Sequence, residues 1–376
     1  PEHIHHFQFL FTGLKGENTL APWMWASVAL AIVSLVLLIN PRTRHREQTL
    51  VIGCDGRASS GRIRAVLEKA LLQSGRDVID IGLCGTEMVY YTTFARGLDG
   101  GIMVTASHNP ADCNGMKFVR QGGRPMSSDS GLLEVAKNAA SEDWYRSILP
   151  EQPDHIGRHI KMPNKYHYIS RLLSSVDTDS LQPLKIVVNA GNGCAGPVLD
   201  LLEQHLPFTF IKLNNEPDGT FPKGIPNPLL PENRQETARA VREQGADFGA
   251  AWDGDADRCF LFDETGRFIE GYYIVGLLAA AMLERHPGAT ILHDPRLIWN
   301  TQDIVEAAGG KAVMTKTGHA FIKEAMRREQ AVYGGEMSAH HYFQEFGYCD
   351  SGMLPWLLVA QLISRQGTAL SALVDE

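Results

Sequence analysis

Cysteine is scarce in this chain, and none of it is spaced for chemistry. Cys54, Cys84, Cys113, Cys194, Cys259 and Cys349 form no close pair and no metal-binding spacing. That pattern argues against a disulfide scaffold and suits reduced thiols in a cytosolic fold. Positive charge is also short: 35 Lys and Arg face 43 Asp and Glu, for a net charge of −8. With no basic stripe to override that balance, no nucleic-acid partner is expected. No close internal repeat is visible. Charge of either sign is missing between Glu17 and Arg42, where residues 20–39 are almost wholly apolar. A run of that length can span a bilayer. Trp23 and Trp25 would mark one interface and Arg42, Arg44 and Arg46 the other, which places the remainder in the cytoplasm. The expectation is a transmembrane helix over 20–40 that tethers a cytoplasmic body, with a buried core helix as the competing reading.

After residue 48 the pattern becomes strand, glycine-rich turn, helix. Strands are predicted over 49–53, 78–82, 100–105, 185–189 and 248–252. Helices are predicted over 61–75, 90–96, 234–244, 274–284, 320–328 and 354–366. The segment 191–196, Gly-Asn-Gly-Cys-Ala-Gly, imitates a phosphate loop but has neither Walker nor dinucleotide spacing. Residues 217–231 carry five prolines and read as an irregular connection. Alternating strands and helices imply layered α/β domains, and 376 residues suffice for two or three of them.

Two loops carry the chemistry. Thr105-Ala106-Ser107-His108-Asn109-Pro110 follows a buried strand, and Asn109-Pro110 forces a turn before Asn114-Gly115. Ser107 at the tip of such a loop is expected to be exposed, as an in-line nucleophile needs, with His108 pointing the opposite way along extended backbone. A simple capping turn fits the same residues equally well. The second loop is Asp253-Gly254-Asp255-Ala256-Asp257-Arg258. In extended backbone, residues i, i+2 and i+4 share a side, so the three carboxylates would converge. Carboxylates that close repel one another unless a cation sits among them, and oxygen-only ligation suits Mg²⁺. Arg258 adds a fork suited to phosphate. A solvated acidic turn is the plain alternative; the EF-hand pattern fails on its glycine and its missing glutamate.

Further clusters extend this set. Lys117, just after Asn114-Gly115-Met116, is placed to turn back toward Ser107, or is an ordinary surface lysine. Glu336, Ser338 and His340 lie in Gly334-Gly335-Glu336-Met337-Ser338-Ala339-His340-His341, a mixture able to bracket neighbouring sugar hydroxyls. Lys316-Thr317-Gly318-His319 opens a predicted helix whose backbone N–H groups can meet an anion, or is a plain capped turn.

In their order and spacing, the serine loop, the aspartate loop and the Gly-Glu-Met-Ser loop resemble the α-D-phosphohexomutase family, most closely its phosphomannomutase branch. The resemblance runs from about residue 49 to the end. It implies three topologically similar three-layer α/β domains, over 49–150 (the first incomplete), 155–265 and 266–376. It also implies interconversion of mannose 6-phosphate and mannose 1-phosphate, for nucleotide-sugar synthesis, through a phosphoserine and a hexose 1,6-bisphosphate. Phosphoglucomutase activity, or a truncated or chimeric sugar-phosphate-binding remnant, is the alternative. Carried onto this chain, Ser107 bears the phosphoryl group and joins Asp253, Asp255 and Asp257 as a ligand of one Mg²⁺. Lys117, Arg258 and His340 assist transfer; His108, Lys316, His319, Glu336 and Ser338 bind the hexose phosphate. A hexose bisphosphate is the implied activator. Against the family pattern, residues 1–48 look foreign, and no Arg-Ser loop of a fourth domain is found before Glu376.

Overall fold

A computed structural model describes residues 48–127, 130–139, 155–163 and 165–375. The expected membrane span over 20–40 lies outside these residues. Among the described residues no helix is long and apolar enough to cross a membrane. By internal contacts the chain divides into two compact units, Pro1–Asn164 and Lys165–Glu376.

In the first unit the strands are β1 (Thr49–Cys54), β2 (Asp77–Leu83), β3 (Gly100–Val104), β4 (Met116–Arg120), β5 (Arg124–Pro125) and β6 (His159–Lys161). Their order is β5-β4-β3-β1-β2-β6. β1 pairs in parallel with β2 and β3, whereas β3, β4 and β5 run antiparallel. β1 and β3 are almost continuously apolar and buried, the expected reading of parallel strands covered on both faces. The helix Ser60–Gln73 turns Ile63, Leu67, Ala70 and Leu71 inward at helical spacing. Ile63, Leu67 and Leu71 pack with Leu50, Ile52, Val78, Ile102 and Val104 in one core.

The second unit holds two sheets. One is formed by β7 (Lys185–Asn189), β8 (Thr209–Leu213), β9 (Phe248–Trp252), β10 (Cys259–Phe262) and β11 (Phe268–Ile269), in the order β11-β10-β9-β7-β8. The other is formed by β12 (Thr290–His293), β13 (Lys311–Met314), β14 (Tyr333–Gly335), β15 (His341–Phe343) and β16 (Cys349–Asp350), in the order β13-β12-β14-β15-β16. Apart from the added β6, all three sheets have one topology: three parallel strands, then an antiparallel run of two. The fold therefore repeats three times without a visible sequence repeat.

In each sheet the connection from the third parallel strand to the first antiparallel one holds a predicted functional loop. Ser107 lies between β3 and β4, the aspartates between β9 and β10, and Glu336 to His340 between β14 and β15. These connections leave the carboxyl ends of parallel strands, where α/β sheets present ligand sites.

Candidate active site

The serine loop is more enclosed than its sequence suggests. Ser107 is 4% exposed rather than presented at an open tip. Its backbone is left-handed, φ +50°, so the extended-chain argument that separated it from His108 does not apply. Ser107 Oγ lies 3.2 Å from His108 Nδ1. The loop closes on itself, with Thr105 N–H donating to the Gly115 carbonyl at 3.0 Å. Lys117 follows on β4, where its Nζ stands 3.5 Å from Thr86 Oγ1.

The aspartates do converge, though not as successive residues of a strand. Residues 253–257 form a turn, and Ala256 takes a left-handed φ of +56°. Asp253, Asp255 and Asp257 are all buried, and each offers an oxygen within 4.8 Å of the others. Three buried carboxylates with an all-oxygen donor set fit Mg²⁺. Arg258 is 3% exposed, and its fork is turned inward. Nε and Nη2 donate to Asp253 Oδ2 at 2.8 and 2.6 Å, so the fork meets a carboxylate where the sequence suggested a phosphate.

Two glycines explain how this turn is seated. A Cβ on Gly193 would lie 2.7 Å from the Gly254 carbonyl oxygen, and one on Gly352 would lie 2.5 Å from that of Ala256. The glycine-rich segment 191–196 is thus a packing loop beneath the aspartates: Cys194 N–H donates to the Gly254 carbonyl at 3.1 Å. That close approach, rather than phosphate, accounts for its resemblance to a phosphate loop.

The third loop meets the second inside the same unit. His340 Nε2 stands 3.5 Å from Asp257 Oδ1, and its Nδ1 stands 3.4 Å from Glu336 Oε2. Ser338 Oγ lies 3.1 Å from the same Nδ1. Burial opposes charge on His340, but the hydrogen bonds and charges of Asp257 and Glu336 push its pKa up to about 9. Burial likewise opposes charge on Glu336, and His340, Tyr342 and the Gly318 amide together hold it down at about 2. The two carboxylates thus favour the imidazolium form of His340, and His340 in turn favours the ionised form of Glu336. Next door, His341 is pushed down to about 3 by burial and by the charge of His340.

The segment Lys316 to His319 contributes differently from expectation. The helix begins at His319, and the anion it meets is internal: Gly318 N–H donates to Glu336 Oε1 at 2.9 Å. Tyr342 Oη donates to the other oxygen at 2.6 Å. Lys316 is exposed, its Nζ 3.9 Å above the Phe321 ring.

Sequence reasoning did not single out Asp55, Arg57, Lys323, Tyr342 or Asp350. Arg57 is 2% exposed and hydrogen-bonded into the serine loop, whereas Lys323 and Asp350 form a fully buried ion pair. A charged pair directly after the apolar strand 49–54 was the available signal for Asp55 and Arg57.

A buried cluster of three carboxylates able to hold a metal ion, at the carboxyl end of parallel strands and with a carboxylate–imidazole loop against it, fits a class: α/β enzymes of metal-assisted phosphoryl transfer. Comparison with known proteins narrows the class. Profiles of the phosphoglucomutase/phosphomannomutase α/β/α domains I, II and III match residues 11–146, 166–266 and 270–376. A Salmonella montevideo protein named phosphomannomutase is 58% identical over 336 residues, 88% of this chain and 73% of that protein. A Xanthomonas campestris protein named phosphohexose mutases is 59% identical over 326 residues, 87% of this chain and 71% of that protein. Among solved structures, a phosphoglucomutase/phosphomannomutase family protein from Burkholderia thailandensis aligns with a TM-score of 0.83 at 29% identity. That alignment covers 96% of this chain and 77% of that one. The chain belongs to the phosphoglucomutase/phosphomannomutase family, the α-D-phosphohexomutases. The domain I match begins at residue 11, so it takes in residues 11–48 of the segment that the sequence alone set apart as foreign.

Proposed function

We propose that this chain is a phosphomannomutase, interconverting mannose 6-phosphate and mannose 1-phosphate through a hexose 1,6-bisphosphate. The observation that carries the reading is the contact between Asp257 and His340, which joins the carboxylate triad to the loop suited to sugar hydroxyls. Similarity to proteins named phosphomannomutase supports it.

In this reading Ser107 is the phosphoryl carrier. Its phosphoserine gives the phosphoryl group to the free 6-hydroxyl of mannose 1-phosphate: a P–O bond to the sugar forms, the Ser107 Oγ–P bond breaks, and the proton of the sugar hydroxyl ends on the freed Ser107 Oγ. The bisphosphate turns end for end, and the C1 phosphoryl group returns to Ser107, releasing mannose 6-phosphate. Asp253, Asp255 and Asp257 would hold Mg²⁺, which supplies electrophilic stabilisation of the transferring group. Arg258 fixes Asp253 in place, and Lys117 provides a cation at the start of β4. Ser338, Glu336 and His340 orient the hexose, with the two ring nitrogens of His340 facing Asp257 and Glu336.

The test is phosphopeptide mass spectrometry after incubation with Mg²⁺ and glucose 1,6-bisphosphate, beside Ser107→Ala and Asp255→Asn. Phosphate on Ser107, lost in the first variant and slowed by roughly 100-fold in the second, is the expected result. Wild-type protein that takes up no phosphate, or takes it up elsewhere, would sink the reading. A second reading, in which glucose phosphates also serve, is favoured by the similarity to a protein named phosphohexose mutases. Turnover of glucose 1-phosphate within about tenfold of mannose 1-phosphate supports it, since one hydroxyl's geometry in a polar site can impose far larger ratios.

A further inference from the structure

The serine loop rests on a buried polar device that the chemistry just described does not use. At its centre is Asp55, 4% exposed, in the turn after β1. Its Oδ2 accepts from Thr105 Oγ1 at 2.8 Å and from Arg57 Nε at 3.1 Å. Its Oδ1 accepts from Arg57 N–H at 3.1 Å and from Ser60 Oγ. Asn114 reaches the same cluster, with Nδ2 donating to Ser60 Oγ at 2.8 Å. Both ends of the serine loop, Thr105 and Asn114, are thus tied to one carboxylate-centred cluster.

Arg57 spends its remaining donors on the loop backbone. Nη2 donates to the carbonyls of Ser107 and Asn109, each at 2.7 Å. Nη1 donates to the carbonyls of Pro110 and of Cys113, the latter at 3.1 Å. Four carbonyls therefore converge on one guanidinium. From the other side, Ser107 N–H donates to Thr105 Oγ1 at 2.9 Å, and that hydroxyl is itself held by Asp55. The peptide groups on both sides of Ser107 Cα are fixed by side chains that share a single carboxylate.

Such fixing matters because the conformation it holds is unfavourable. A left-handed φ costs an L-residue on the order of 1–2 kcal/mol, and such strain persists only where the surroundings over-determine it. A nucleophile must also hold its geometry closely, since a misplacement of about 1 Å can cost about 100-fold in rate.

We infer that Asp55 and Arg57 form a positioning pair that holds Ser107 in its left-handed, reactive conformation by clamping the loop backbone. The inference rests on Ser107 being the phosphoryl carrier. A planar fork with five donors can serve four carbonyls and a carboxylate together; an ammonium group cannot. Arg57→Lys keeps the charge and loses the clamp.

Two readouts test it on the full chain. The first is the rate of phosphate uptake by Ser107 from glucose 1,6-bisphosphate in wild type, Arg57→Lys and Arg57→Ala, with free guanidinium ion added to the last. Uptake slowed by roughly 100-fold, a dependence on bisphosphate concentration shifted far less, and partial rescue by guanidinium are the expected results. The second is hydrogen exchange of the peptide covering 105–113, which needs no turnover. Faster exchange in Arg57→Lys, beside unchanged exchange of β1 and β3, is expected. Wild-type uptake and wild-type exchange in Arg57→Lys would overturn the inference. If Arg57→Ala does not fold, Arg57→Lys alone decides. If wild type takes up no phosphate, the phosphoserine reading falls, and the exchange measurement still decides whether Arg57 holds the loop.

Discussion

At the scale of single residues, the second unit sets two adjacent histidines to opposite tasks. His340 is kept charged by flanking carboxylates, whereas His341, fully buried against Tyr333, is kept neutral. For His341 the unfolded chain binds a proton near 6.5 and the folded chain not until about 3. Between those values the unfolded state holds more protons, so this residue makes stability fall as pH drops through that window. In His341→Gln the urea midpoint should fall less steeply with acid over the same range, by up to one proton. Parallel curves for variant and wild type would refute the assignment. Three other residues share a different peculiarity: Ser107, Ala256 and Ala339 each take a left-handed φ, at +50°, +56° and +67°. One sits in each functional loop.

At the scale of elements, those loops occupy one topological position, and their seating depends on close backbone approach. Gly352→Ala should force the Ala256 carbonyl away, since the added Cβ would stand 2.5 Å from it. A loss of about 1–3 kcal/mol in urea unfolding is expected, together with weaker Mg²⁺ binding by calorimetry. An unchanged Mg²⁺ affinity would show the aspartate turn to be insensitive to what lies beneath it. Longer elements were legible in the sequence. The strands Lys185–Asn189 and Phe248–Trp252 and the helix Leu354–Gln366 have the bounds that their apolar runs suggest. The antiparallel legs were not legible: β5, β11 and β16 have two residues each, too few for any periodicity to register. Site residues divide similarly. Asp253, Asp255 and Asp257 were readable from spacing, although a turn rather than extended backbone brings them together. Arg57 was not, because the serine-loop carbonyls that it clamps lie 50 to 56 positions further along the chain.

At the scale of the whole molecule, one topology used three times gives three loops of different chemistry on similar supports. Within the second unit the two sheets are joined by aromatic packing. Trp356, on the helix Leu354–Gln366, is fully buried against Phe208, Phe210 and Trp252, with ring centroids 6.2, 5.6 and 6.4 Å away. Trp252 Nε1 donates to the Gly352 carbonyl at 2.8 Å, tying the same cluster to the segment under the aspartates. Trp356→Ala should cost about 3–5 kcal/mol in denaturant unfolding. Trp356→Phe should cost much less, since the indole Nε1 finds no hydrogen-bond partner among the described residues. Equal losses in the two variants would contradict the packing account.

The enclosure of Ser107 has a consequence for how the protein meets the rest of the cell. Protein kinases and phosphatases that act on serine read it within an extended, accessible stretch of peptide. Here the residue is 4% exposed, its amide is taken by Thr105 and its carbonyl by Arg57, so neither backbone edge is offered to a visiting enzyme. On the proposed function, a phosphate on this serine is exchanged with small ligands that enter the loop rather than with an enzyme that grips the chain.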